Sequence, residues 1–181
     1  MSVDVESAIV EMIDSLREQH SGIRWVQPAN LHLTLRFLGN AVDRPVALKL
    51  GRILPDLAGR TSPFVLHARG TGAFPSLDRP RTIWIGMTSD ELIGLAREIE
   101  DAAVLVGLAP EARPYTPHLT IGRVRDLHGW QEIRQALSMS STREFGSTLI
   151  SEMTLYRSIL GGGTARYEAL ACYPFTTTAL A

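Results

Sequence analysis

Apolar positions recur at helical spacing in four stretches of the chain. From Asp4 to Arg17, Val5, Ala8, Ile9, Ile13 and Leu16 fall three or four residues apart with acidic residues between them, which predicts an amphipathic helix ending before Ser21-Gly22. Val46 to Leu57 predicts a second helix, expected to stop near Pro55. Leu92, Leu95, Ile99, Ala103 and Val106 line one face of a third, Glu91 to Val106, with Ser89 and Asp90 as caps and Gly107 as terminator. Trp130 to Leu137 predicts a short fourth.

Elsewhere the period is two. Leu31, Leu33, Leu35 and Phe37 alternate with His32, Thr34 and Arg36 up to Gly39-Asn40, the pattern of a half-buried strand with one polar face. Phe64 to Arg69 and Thr82 to Met87 read as strands around a turn-rich Gly70 to Pro80. His118 to Val124 is a strand entered from Arg113-Pro114-Tyr115-Thr116-Pro117, whose prolines disfavour helix. Thr148 to Ser158 and Ala165 to Tyr173 predict a hairpin around Gly161-Gly162-Gly163, and Thr176 to Ala181 is a tail with nothing to anchor it. Helices and antiparallel strands mix without a strict βαβ rhythm, so the expected class is α+β.

Composition narrows what such a domain does. The 181 residues, 45% hydrophobic and 20% charged, suit one domain or two small lobes, and exclude disorder and collagen. Eighteen basic against nineteen acidic residues give a net charge of −1, so no chain-wide positive field holds long duplex nucleic acid, although a local site can bind phosphate. The single cysteine, Cys172, points to a reducing compartment and a cytoplasmic protein, and reads as a small buried strand residue. No apolar run reaches membrane-spanning length, and Met1 to His20 is too acidic for a signal peptide.

The chemistry lies in a duplication. His32-Leu33-Thr34-Leu35 and His118-Leu119-Thr120-Ile121 each put an imidazole and a hydroxyl on one face of a strand, with apolar residues on the other. With five histidines in the chain, two such coincidences by chance occur at roughly a few in a thousand. Two histidines in one pocket suit a general acid and a general base near neutral pH. Threonine hydroxyls can donate to an oxyanion, and Arg36 and Arg123 are candidate charge partners. Together these residues suggest phosphodiester hydrolysis; no Asp, Glu or Cys stands at ligand spacing from either histidine, so no metal or other cofactor is called for.

The alternative is two buried structural histidines in polar strand networks. His20, His67 and His128 read as structural or solvent-facing, Gly161 to Gly163 as hairpin flexibility, Trp84 and Trp130 as core, and Trp25 as core or cleft rim.

These residues resemble a known family. Trp25-Val26-Gln27-Pro28, the run Asn30 to Gly39, Gly72-Ala73-Phe74-Pro75, Pro117 to Arg123, Leu155-Tyr156-Arg157-Ser158 and Ala165-Arg166-Tyr167 are similar to the 2H phosphoesterases, most closely the RNA 2′,3′-cyclic phosphodiesterases first called 2′-5′ RNA ligases. The resemblance implies a bilobal domain in which two antiparallel sheets form a V-shaped cleft with helices outside, one motif per lobe. It implies metal-independent opening of a terminal 2′,3′-cyclic phosphate, on RNA ends or nucleosides, to a 2′-phosphate, with some reversal as a 2′-5′ ligase. His32 would protonate the departing 3′ oxygen, His118 would activate water, and Thr34, Thr120 and Arg123 would hold the phosphate.

Phe37 matches an aromatic that can stack on the base. Strict alternation places Phe37 and Arg123 opposite their histidines, so a bulge or strand end must re-aim them. Otherwise Phe37 is core and Arg123 an outer-face salt bridge, while Arg36 divides between site and solvent. Such proteins usually begin with a hydrophobic strand where this chain has Met1-Ser2-Val3, which implies a late start or a sheet edge covered by another segment, such as a second copy. A non-catalytic nucleotide or RNA-end binder of the same fold, and a protein-interaction module, are the competing classes.

Overall fold

The computed structural model describes residues 1–18, 22–161 and 164–176. His20, Gly162, Gly163 and all of the expected tail but Thr176 lie outside the described residues. Among the described residues four α-helices and seven strands are interspersed, and the strands form two antiparallel sheets, of five and two strands, as the α+β reading requires.

The fold divides into two units. The first holds α1 (Val3–Arg17), β1 (Ile23–Trp25), β2 (Phe64–Phe74) from Val65 onward, β3 (Thr82–Thr88), β4 (His118–Val124), α4 (Trp130–Met139) and β5 (Glu144–Ile150) up to Leu149. Its sheet runs in the order β1-β4-β3-β2-β5. Leu66, Ala68, Ala73, Ile83, Ile85, Met87, Leu119 and Ile121 are buried on one face, with Val5, Ile9, Ile13 and Leu16 of α1 and Ile133 and Leu137 of α4 in the same core. The buried Thr71 hydroxyl donates to the Leu137 carbonyl at 2.7 Å, tying β2 to α4 without leaving a polar group unsatisfied. Asp4 and Glu6 in the first turn of α1 and Arg17 in its last oppose the helix dipole favourably.

The second unit holds α2 (Arg44–Arg60), α3 (Asp90–Leu105) and a hairpin of β6 (Glu152–Gly161) and β7 (Thr164–Pro174). Phe64 stacks on Phe175 at 5.9 Å, and Arg60 of α2 pairs with Glu98 of α3 at 2.8 Å.

Several expectations are corrected. Helix α2 runs through Pro55 to Arg60, because Leu50, Leu54, Leu57 and Ala58 keep one buried stripe across the proline, which is itself exposed. Strand β2 continues through the turn-rich segment to Phe74. The expected strand Thr148 to Ser158 is divided at Ser151 between the two sheets. Cys172 is exposed on β7, not buried. Leu31 to Leu38 forms no continuous strand: Leu33 makes an isolated antiparallel bridge to Leu119 and the chain bends at Leu35.

Candidate active site

Strand β4 carries the second motif. His118 and Thr120 are half-buried while Leu119 and Ile121 point into the core, so both polar side chains stand on the other face of the sheet. The bridge between Leu33 and Leu119 brings the first motif alongside. Antiparallel register through it sets His32 opposite Thr120 and Thr34 opposite His118, all four on the face away from Leu119. Directly opposed side chains have Cβ atoms roughly 5 Å apart, and the diagonal pair, His32 and His118, roughly 7–8 Å, a span that one phosphate group bridges. His32 and Thr34 fall in the first unit together with His118 and Thr120.

Local contacts orient the rings. The His32 Nδ1 lies 2.7 Å from the Asn30 carbonyl oxygen, which can only accept, so Nδ1 carries hydrogen. His118 meets the edge of Phe74 with ring centroids 4.9 Å apart and planes at 86°, and Phe74 in turn packs on Trp84 at 5.3 Å. Trp84 is opposite Thr120 on β4 and Gly72 on β2, and its indole lies across Gly72, where a β-carbon would collide with it.

Trp84 is therefore not core but half-buried on the histidine face, and its Nε1 is buried without a hydrogen-bond partner among the described residues. Sequence reasoning took Gly72 and Phe74 only as matching letters and missed Trp84. The signal that finds Gly72 and Trp84 is pairing, since they stand in register with Thr120 across two neighbouring strands, and Phe74 joins them through its ring contacts with Trp84 and His118.

Arg123 shows how the face is extended. Ile83 pairs with Gly122 but Trp84 with Thr120, so β4 carries an extra residue there and its alternation shifts by one. Ile121 and Gly122 both turn to the core side, and Arg123 returns to the face of His118 and Thr120, opposite Thr82. It is exposed and has no ion pair among the described residues, against its reading as an outer-face salt bridge.

Arg36, the other candidate charge partner, makes its ion pairs within the second unit. Its side chain, 8% exposed, lies in the second unit within 2.5 Å of a Glu100 carboxylate oxygen, though not aligned as a hydrogen bond. It also contacts Glu111 and donates to the Ala109 carbonyl at 2.6 Å. A guanidinium so engaged is a structural tie to α3 and the loop after it. Phe37 is not core: it is 56% exposed, in the second unit. His67 and His128 are exposed, Trp130 is buried with its Nε1 donating to Leu77 at 2.9 Å, and Trp25 is buried. Among the described residues no group of three or more His, Cys, Asp or Glu is placed to hold a metal ion, and no helix is long and apolar enough to cross a membrane.

A family model described as "LigT like Phosphoesterase" matches twice, over residues 3–84 and 85–166, one His-x-Thr motif falling in each match. The chain belongs to the LigT-like phosphoesterase family. Relatives called RNA 2′,3′-cyclic phosphodiesterase include one from Aeropyrum pernix, 32% identical over 90% of this chain and 92% of the relative. One from Methanocaldococcus jannaschii is 31% identical over 94% and 96%. Among solved structures, a Thermus thermophilus protein, TT0787, superimposes with a TM-score of 0.80 at 25% identity, covering 99% of this chain and 96% of that one. Escherichia coli LigT complexed with 3′-AMP gives 0.71 at 28% identity, covering 95% and 93%. For a LigT-like phosphoesterase, the doubled match is the internal repeat that the two motifs suggest.

Proposed function

We infer that this LigT-like phosphoesterase hydrolyses 2′,3′-cyclic phosphates at RNA ends or on nucleosides to 2′-phosphates, by two-histidine acid–base catalysis and without a metal. The observation that carries this reading is the Leu33–Leu119 bridge, which registers two imidazoles and two hydroxyls on one face. Relatives named for that activity over nearly the whole chain support it. In this reaction His118 takes a proton from water as the water oxygen bonds to phosphorus. The bond from phosphorus to the 3′ oxygen breaks, and His32 Nε2 delivers its proton to that oxygen. Thr34 and Thr120 donate to the non-bridging oxygens and Arg123 balances their charge, strengthening as negative charge concentrates there in the transition state. An RNA 5′-hydroxyl replacing water would run the same displacement to a 2′-5′ linkage, the expected weak ligase activity.

The test is turnover of a nucleoside 2′,3′-cyclic phosphate in excess EDTA, with the product identified as the 2′- or 3′-phosphate. The wild type should yield 2′-phosphate at an undiminished rate, with a bell-shaped pH dependence, since one ring must be protonated and the other neutral. His32→Ala or His118→Ala should lower kcat by at least about 100-fold, and Thr34→Ala or Thr120→Ala by less. Binding of nucleoside 2′-phosphate without turnover of any cyclic phosphate would identify a non-catalytic binder instead.

A further inference from the structure

Strand β1 has a burial pattern that isolates one residue. Ile23 and Trp25 are buried against the core side, and Arg24 between them takes the other face, only half-buried. Its partner in the ladder is Arg123, and Arg123 pairs on its other side with Thr82. The bulge that returns Arg123 to the histidine face therefore sets two guanidinium groups on directly opposed residues of neighbouring strands, Cα atoms roughly 5 Å apart. Like charges so opposed destabilise a sheet. Neither has an ion pair among the described residues. The nearby Asp126 lies against Gly22 and accepts from the His128 backbone N–H at 3.0 Å. Arg81 and Arg125, each adjoining the end of a strand beside this pair, are exposed and likewise unpaired among the described residues. In a chain of net charge −1 this is a local concentration of positive charge, continuous with the face of the two motifs.

An anion between the two guanidiniums converts their repulsion into a shared attraction, and phosphate suits their fork geometry. The position fixes which phosphate. Arg123 reaches both ways: it lies three residues along β4 from Thr120, while Arg24 stands one strand further out, roughly 5 Å beyond it, so a phosphate held by Arg24 is distinct from one held between His32 and His118. We propose that Arg24, with Arg123, forms a second phosphate subsite that binds the phosphodiester backbone of an RNA chain one or two nucleotides before its terminal cyclic phosphate. The subsite rests on the reaction inferred above and makes an RNA end a better substrate than a cyclic mononucleotide. Arg24 touches no reacting atom; it is a specificity determinant.

The experiment compares wild type, Arg24→Gln and Arg24→Lys on a nucleoside 2′,3′-cyclic phosphate and on a ribohexanucleotide ending in the same group. Arg24→Gln should raise KM for the hexanucleotide about tenfold, leave the mononucleotide within twofold, and be largely rescued by Arg24→Lys. Equal loss on both substrates, or loss on neither, overturns the subsite. Fluorescence anisotropy with a labelled hexanucleotide ending in a 2′-phosphate reads the contact without turnover. The slope of log Kd against log salt should fall by about 0.7 in Arg24→Gln, the value for one phosphate on a single strand. An unchanged slope overturns the proposal even if every cyclic phosphate is hydrolysed; a reduced slope supports it even if none is.

Discussion

Gly72 shows how a residue without a side chain shapes this site. Trp84 lies across it, Phe74 packs on Trp84, and the edge of Phe74 meets the His118 ring, so the imidazole is positioned through a chain of three contacts that starts at an empty position. Gly72→Val should displace the indole and destabilise the protein by about 1–3 kcal/mol, the cost of overpacking. A thermal melt and a shifted tryptophan emission maximum would check this, and unchanged emission would show that Trp84 does not rest on Gly72. Cys172 offers a second expectation. The Glu152 carboxylate beside it raises the thiol pKa chiefly by accepting a hydrogen bond from the protonated form, with smaller upward contributions from burial and then from the carboxylate's charge. A raised pKa means less thiolate at a given pH, so alkylation by iodoacetamide at pH 8 should be slower than for an unstructured cysteine. It should accelerate in Glu152→Ala; an unchanged rate would show that the carboxylate does not govern the thiol.

Elements were legible where local pattern and packing agree. Helix α3 and strand β4 occupy nearly the residues their periodicities indicate, because each buries one regular stripe. The segment around the first motif alternates as cleanly as β4 does, yet it forms only one bridge: Leu31, Leu33 and Leu35 are half-buried, and Arg36 holds the chain to Glu100 and Glu111 instead of continuing a ladder. The His-x-Thr pairs were legible because a spacing of two needs only a short extended stretch. The face of Arg123 was not, since the bulge belongs to the pairing of β4 with β3, and the placement of Arg24 depends on that same bulge. Pro55 misled for a related reason, the buried stripe of α2 outweighing the lost backbone hydrogen bond. Because Pro55 is exposed, Pro55→Ala restores a donor and removes the ring's clash with the preceding turn without creating a cavity. It should stabilise the protein by about 1–3 kcal/mol. A rise in Tm of several degrees would be the sign, and a fall would mean that the proline ring itself packs in α2.

At the scale of the whole molecule, the two matches of one family model, residues 3–84 and 85–166, each bring a single His-x-Thr motif, and the Leu33–Leu119 bridge makes them neighbours. Neither copy alone supplies both an acid and a base, so on the proposed reaction the histidines act as one unit. Groups that act as a unit lose their effect together: once one proton transfer fails, the other has no concerted step left to assist. His32→Ala and His118→Ala, each costing at least about 100-fold in kcat, should therefore combine in the double variant to little more than the worse single loss, far short of the roughly 10,000-fold that independent contributions would give. Single-turnover rates on a nucleoside 2′,3′-cyclic phosphate, with nucleoside 2′-phosphate binding measured alongside to confirm an intact pocket, would decide it. Multiplicative losses with binding preserved would mean that each half lowers the barrier independently, and that the repeat brought together two partial sites instead of completing one.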